Sequence, residues 1–455
     1  MGSRIQLPRR VGGQYHPPGA HKAGTPALRT RSLPRCCPGC GGQHRDDAGG
    51  TQHASRCGGD HRGREHELDD RPSCVRVRAI VATRLYPPEV GAAAFRLEAL
   101  TRGLEESGAE VLVLTTRPPV QGVSSTTAVK RWPVLRDRGG NVRGYVQYLS
   151  FDLPLFFRLL VSRGNIVISE PPPTTGLMVA AATLLRRRGY VYYAADIWTD
   201  ALAATAAPAL VVRVMRAIEG IALRRAGKVI AISDGVARQT RQFNVDPGKV
   251  VVVGNGVNTD IFAARGQAAD PGYRYFVYTG TMSEWQGAEI FIDALRTVLE
   301  QFPDVRLHFF GQGSAEEALR ARALDVAPDR IIFSGVVPPD EAARWIRGAA
   351  ASLVSIVPGQ GYDFAKPTKI YAAAACGTPV VYAGVGDAAD MVSNSGLGAA
   401  SAYTVSDVAR TMLHFLLHED TDRGRRSAWV EANASLRVTG RRAAAEVVSA
   451  LREGR

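Results

Sequence analysis

Residues 75–116 read VRVRAIVATRLYPPEVGAAAFRLEALTRGLEESGAEVLVLTT, and three elements follow one another in that stretch. Val75 to Tyr86 is an apolar run suited to a buried strand. Phe95 to Gly108 has helical spacing and closes on glycine, which accepts the left-handed conformation a helix end requires. Ala109 to Thr116 is again strand-like. Strand, helix and strand in this order predict a parallel pair with a crossover. The loop Tyr86-Pro87-Pro88-Glu89-Val90-Gly91 joins the carboxyl end of a strand to a helix start, the edge where open α/β sheets gather ligands. At Gly91 the missing side chain would let the backbone approach a bound phosphate.

The alternation continues in both directions. Strand-like segments lie at Asn165–Glu170, Gly189–Trp198, Lys228–Ser233 and Lys249–Asn258, with helical stretches between them. Residues 259–273 read as a linker. A second series begins with YRYFVYTG, continues through the Gly-x-Gly at Gly311 and Gly313, and reaches KPTKIYAAAACGTPVVYAG at Lys366 to Gly384. The fold expected is α/β, with two Rossmann-like domains facing across a cleft. They span 76–260 and 261–455, and clefts of this kind commonly bind small molecules.

The chain has 455 residues and a formal net charge of +13. That balance suits anionic partners such as phosphates, nucleic acid or an acidic membrane surface, although the arginine usage of a GC-rich genome would also produce it. No apolar run reaches the roughly 18 residues of a membrane helix, and no signal-peptide core stands at the start. The expectation is a soluble cytoplasmic protein, with the inner membrane face as one place of work. Five of the six cysteines precede residue 75, so the body has no disulfide framework. Residues 1–75 show no apolar period and are expected to be disordered, or to be an extension from a start codon set too far upstream. Cys37, Cys40, Cys57 and His61 have spacing that could hold zinc, with chance as the competing reading. No metal is expected in the body.

In the second series Pro367 suits a first helical position, where free N–H groups point at an anion. Lys366 and Lys369 beside it add charge to hold a phosphate, or are solvated. Asp196 at a strand end is a candidate base, and Asp200 a helix cap with Trp198 packing beside it. Glu170 either lines the cleft or serves a turn. Gly311 and Gly313 read equally as turn glycines or donor contacts. His308, Trp285 and Trp345 read as packing residues, Trp285 standing in a ligand loop.

Taken in order, YPPEVGAAAFRLEALTRGLEESGAEVLVLTT, SEPPPTTGLMVAAATLLRRRGYVYYAADIWTD, KVIAISDGV, VVVGNGVNTDIF, YTGTMSEWQGAEIFIDAL, FFGQGS and PTKIYAAAACGTPVVYAG resemble the family 4 glycosyltransferases, which have the GT-B fold. The resemblance implies transfer of a sugar from a nucleotide-diphosphate donor to an acceptor hydroxyl, lipid-linked acceptors included, with retention and without a metal or other cofactor. Nucleic acid is not among the implied partners. Cell-surface polysaccharide, glycolipid or glycoside synthesis would be the setting. Gly91, Gly280, Gly313, Lys366, Thr368 and Lys369 then fall at the donor, and Asp196 and Lys369 at the chemistry. Two departures stand out. The loop Gly280–Gly287 lacks the family's arginine and lysine, and the two family glutamates fall on Phe364 and Ala372. A carboxylate at 372 would meet the ribose if that helix face lines the cleft, and Lys369 or Lys366 is expected to take over the diphosphate. A non-catalytic sugar-binding or partner subunit is the alternative.

Overall fold

β-Branched and aromatic residues fill the inner strands of two sheets, and nearly all of these are buried on both faces, as parallel sheets under helices require. A computed structural model describes residues 76–89, 91–119, 127–137, 140, 142, 144–203 and 208–454, the side chains of 200, 201 and 203 aside. The cysteine and histidine set of the first seventy-five residues lies outside them.

The first half runs β1 (Arg78–Ala82), α1 (Ala92–Glu106), β2 (Glu110–Thr116), β3 (Ala128–Trp132), α2 (Tyr145–Val161), β4 (Ile166–Ser169), α3 (Pro173–Arg186), β5 (Gly189–Ala194), α4 (Trp198–Ala203), α5 (Ala209–Arg225), β6 (Lys228–Ala231), α6 (Asp234–Thr240) and β7 (Val250–Val252). The second runs β8 (Tyr275–Thr279), α7 (Glu289–Gln301), β9 (Arg306–Phe310), α8 (Glu316–Val326), β10 (Ile331–Phe333), α9 (Pro339–Gly348), β11 (Ala351–Ser355), α10 (Thr368–Ala375), β12 (Val380–Ala383), α11 (Asp387–Asn394), β13 (Gly398–Ser401), α12 (Val405–Leu417), α13 (Arg423–Asn433) and α14 (Leu436–Glu453).

The first sheet has the order β3-β2-β1-β4-β5-β6-β7 and the second β10-β9-β8-β11-β12-β13. Every ladder is parallel, as at Ala79↔Ile166 between β1 and β4 and Ala351↔Phe276 between β11 and β8. The strand order reverses beside β1 and β4 in one sheet and beside β8 and β11 in the other. These are the switch points at which open α/β sheets leave a crevice. The expected two-domain Rossmann-like architecture is therefore present.

The differences from the sequence reading have local causes. The expected strand 189–198 stops at Ala194, and Trp198 already opens α4. β3, α2, α4, α11, β13, α13 and α14 were not foreseen. The expected division assigns 261–455 to the second half, yet α14 packs on the first. Ala443, Ala444, Val447 and Leu451 join Leu97, Leu100 and Leu104 of α1 in one core cluster. The two helices cross at glycines: a Cβ on Gly440 would stand 2.3 Å from the Ala99 carbonyl oxygen, and one on Gly103 would stand 2.7 Å from that of Gly440. Lys228 of β6 binds Glu446 and Glu453 at 3.0 and 3.2 Å, tying α14 to the sheet as well.

Candidate active site at the facing sheet edges

The two carboxyl edges face each other. α6 follows the carboxyl end of β6, and the segment 356–367 follows that of β11. They meet where Lys366 Nζ lies 3.4 Å from Asp234, and α6 also reaches α11, where Arg238 pairs with Asp387 at 3.0 Å. Gly235 belongs to this contact, because a Cβ there would stand 2.5 Å from the Phe364 ring. Phe364, at the position of a family glutamate, thus packs against the other half. Lys366 is likewise committed to Asp234.

Lys369 differs. It occupies the second position of α10, with its stem between the two switch-point loops. Its ammonium lies 3.8 Å from the centre of the Tyr278 ring and 3.4 Å from the Thr281 carbonyl oxygen. Gly280 is beside it: a Cβ there would meet Lys369 Cε at 3.7 Å. Gly280 has φ 103°, a conformation that favours glycine. Among the described residues no carboxylate lies within ion-pair distance of Lys369. Burial pushes its ammonium down to about 7. The Tyr278 face offsets part of that cost through cation–π attraction. Pro367 is the N-cap of α10, not its first helical residue, and the first turn holds no acidic side chain. The exposed Thr368 and the free N–H groups of that turn therefore open toward the same space as the ammonium.

The second-half loops are held from behind. Trp285 stacks on Tyr362 with 4.5 Å between ring centres, and the Val357 N–H donates to the Trp285 carbonyl at 3.0 Å. Gln286 is buried and accepts from the Tyr278 hydroxyl at 3.0 Å. Gly311 and Gly313 serve packing: Cβ atoms on them would stand 1.9 Å from the Gly280 oxygen and 2.0 Å from the Met282 oxygen. Gly313 thereby lets the loop after β8 lie against the turn after β9. Ala372 is only 8% exposed and belongs to the core of the second half, so the helix face expected to line the cleft is covered there. His308 is buried beside Tyr275, Phe310 and Trp345, and burial pushes it down to about 4.

On the opposite edge, Asp196 follows β5 and is exposed. Desolvation by the surrounding protein raises its carboxyl above the usual range, Arg96 opposing and Glu170 adding to the rise. Glu170 itself is 5% exposed. It binds Arg96 at 3.0 Å and accepts from the Thr83 hydroxyl at 2.8 Å, so it braces β1 against β4 and does not line the cleft. Asp200 falls inside α4, and the capping expected of it is done by Glu219. That fully buried carboxylate of α5 accepts from the N–H groups of Trp198 and Thr199 at 2.9 and 3.0 Å and from the Thr199 hydroxyl at 2.5 Å. Gly91 caps α1 with φ 172°, extended backbone open to any residue, and nothing lies within 4 Å of a Cβ placed there. The sequence reading passed over Arg84, whose guanidinium lies 4.1 Å from the centre of the Tyr148 ring and donates to the Val142 carbonyl at 3.2 Å. It also passed over Tyr148, which meets Trp198 edge-on at 6.4 Å. No spacing in the sequence marks either one. Among the described residues no three potential metal ligands come together.

Known proteins resemble this arrangement. Residues 91–256 match the family model of the glycosyl transferase 4-like domain, and residues 273–418 that of the glycosyl transferases group 1. D-inositol 3-phosphate glycosyltransferase of Segniliparus rotundus is 32% identical over 181 residues, 35% of this chain and 39% of the relative. The match thus spans about two fifths of that protein's length. A glycosyltransferase from Rickettsia africae superposes with a TM-score of 0.62 at 13% identity, covering 83% of this chain and 99% of the other. HepE of Anabaena, solved in complex with UDP and glucose, superposes at 0.58 with 19% identity, covering 82% and 100%. Two matched family domains in the right order, on two facing parallel sheets, place the chain in the group 1 glycosyltransferases of the GT-B fold.

Proposed function

We propose that the protein transfers a sugar from a nucleotide-diphosphate donor to an acceptor hydroxyl, with retention, as a member of glycosyltransferase family 4. The observation that carries this reading is the Lys369 ammonium, half-buried without a carboxylate at the β8–β11 switch point and beside the amino end of α10. A partly desolvated cation without an anion is costly, and a diphosphate would supply the missing charge. The bond from the anomeric carbon to the diphosphate oxygen breaks with its electron pair on that oxygen. Lys369, the first N–H groups of α10 and the Gly280–Thr281 backbone stabilise that charge as it grows. Lys369 thereby takes the place of the basic pair absent from Gly280–Gly287, and Lys366 acts through its contact with Asp234 in holding the halves together. The acceptor oxygen forms its bond to the anomeric carbon on the face from which the diphosphate leaves, which keeps the configuration, and Asp196 across the cleft accepts the proton of that hydroxyl.

The UDP and glucose of the Anabaena structure and the inositol phosphate named for the Segniliparus relative make UDP-sugars and phosphorylated polyols the first compounds to screen. Release of nucleotide diphosphate from a donor panel, with the products read by mass spectrometry, tests the reading. Turnover lost in Lys369→Ala but kept in Lys366→Ala supports it, and unchanged turnover in both would overturn the assignment. A non-catalytic subunit is the second reading, favoured by Ala372 where the family has a carboxylate. It predicts nucleotide binding without product from any donor.

A further inference from the structure

The helices α2, α3 and α5 lie side by side on one face of the first sheet. On α2, Tyr145, Leu149, Leu153, Phe157 and Val161 stand four residues apart, and their exposures run from 51 to 82%. Phe151, Leu155 and Leu159 form the opposite row and are buried against the sheet. The row continues onto neighbouring helices at Leu184 and Leu185, 61 and 67% exposed, and at Leu210 and Val214, 68 and 49% exposed. Single exposed apolar residues are ordinary, but a contiguous face of them calls for a partner.

The charge on this face has one sign. From Tyr145 to Arg188 the acids are Asp152 and Glu170, and in α5 the acid is Glu219; all three are buried. Arg163, Arg186 and Arg187 are exposed at the far end of α2 and α3, where with Arg188 and the end of α14 they line a hollow of about 420 Å³ at the amino edge of the sheet. Arg213 and Arg225 are exposed on α5. A second copy of this chain would bring arginine against arginine. An apolar sheet under a layer of negative charge satisfies both features at once.

We infer that the α2–α3–α5 face docks on an anionic phospholipid bilayer, its apolar side chains entering the headgroup boundary and its arginines meeting phosphates. The amino end of α2 reaches the cleft, since Tyr148 touches both Arg84 and Trp198. An acceptor held in the bilayer would therefore meet the site from this side. That last step rests on the glycosyl-transfer reading, whereas docking does not.

The test is sedimentation of the full chain with phosphatidylcholine vesicles, with and without phosphatidylglycerol. The same samples are titrated with UDP and examined by sedimentation velocity. The wild-type chain should pellet with the anionic vesicles and stay in solution with the neutral ones. Phe157→Glu and, separately, the double variant Arg186→Glu/Arg187→Glu should each lower the bound fraction roughly tenfold at unchanged melting temperature. Leu153→Ser checks the result should Phe157→Glu fold poorly. Equal binding by wild type and variants, or no wild-type binding to anionic vesicles, would overturn the inference. A wild-type dimer that Phe157→Glu splits, without vesicle binding, would do so in favour of a second copy. UDP binding is read independently, so failed docking with intact nucleotide binding leaves the proposed function standing.

Discussion

Lys369 pays for its position with its proton. Folded, its ammonium sits at about 7; in the unfolded chain it keeps the ordinary 10.5. The unfolded state therefore binds more protons between these values, and this residue's contribution to stability rises with pH from about 7 to 10.5. Lys369→Met should match or exceed the wild type in melting temperature at pH 7, and should lack that rise. It should also weaken UDP binding roughly 100-fold. At pH 8 the wild type should take up close to one proton on binding UDP, because the diphosphate restores the charged form. Calorimetry in buffers of different ionisation enthalpy measures that uptake, and none is expected for Lys369→Met. Uptake equal in both proteins would place the diphosphate elsewhere. Asp196→Asn should lower kcat by about 10²-fold or more while leaving UDP affinity within about twofold, as measured by titration beside turnover. That a lysine stands at a helix start and an aspartate at a strand end was legible in the sequence. That one lysine lacks an acid while its neighbour has Asp234 depends on where α6 falls, which no spacing shows.

At the scale of elements, the site is held by groups that never touch a ligand. Glu219 closes the amino end of α4 and so fixes Trp198 two residues beyond Asp196. Glu219→Ala leaves three buried donors without their acceptor, and should cost about 3 kcal/mol by urea denaturation and lower kcat as well. The helix α10 gives a second case. Its opening residues face the cleft, but Ala372 packs into the second core. Ala372→Glu should destabilise by on the order of 3 kcal/mol with no gain in affinity for uridine, guanosine or thymidine diphosphate. A tolerated glutamate with tighter binding would show that the face opens to the donor after all. The helical pattern of α10 was readable, but its alanines are nearly featureless and do not say which side is covered. α2 escaped the reading for a related reason. It carries Pro154 and apolar residues on almost every side, so no polar face marks the helical period.

At the scale of the molecule, the chain's last helix belongs to its first half. Gly440→Ala would drive a methyl group against the Ala99 carbonyl and push α14 from α1, at a cost of about 2 kcal/mol. Hydrogen exchange should then rise in α1 and β4–β6 while the second sheet keeps its protection. Loss of protection confined to α12 and α13 would contradict this division.

The alternating apolar strands and glycine-closed helices determined by themselves that the chain builds two parallel sheets, since a parallel strand buried on both faces must be written as a continuous apolar run, and its crossover as a helix. The ordered motifs also placed the loops at the strand ends. Which loop residues meet was decided only in three dimensions. The contact of Phe364 with Gly235, the cap that Glu219 supplies to α4 and the return of α14 join residues far apart in the chain. Local propensity is blind to such pairs, because their energies come from packing and from the burial of charge.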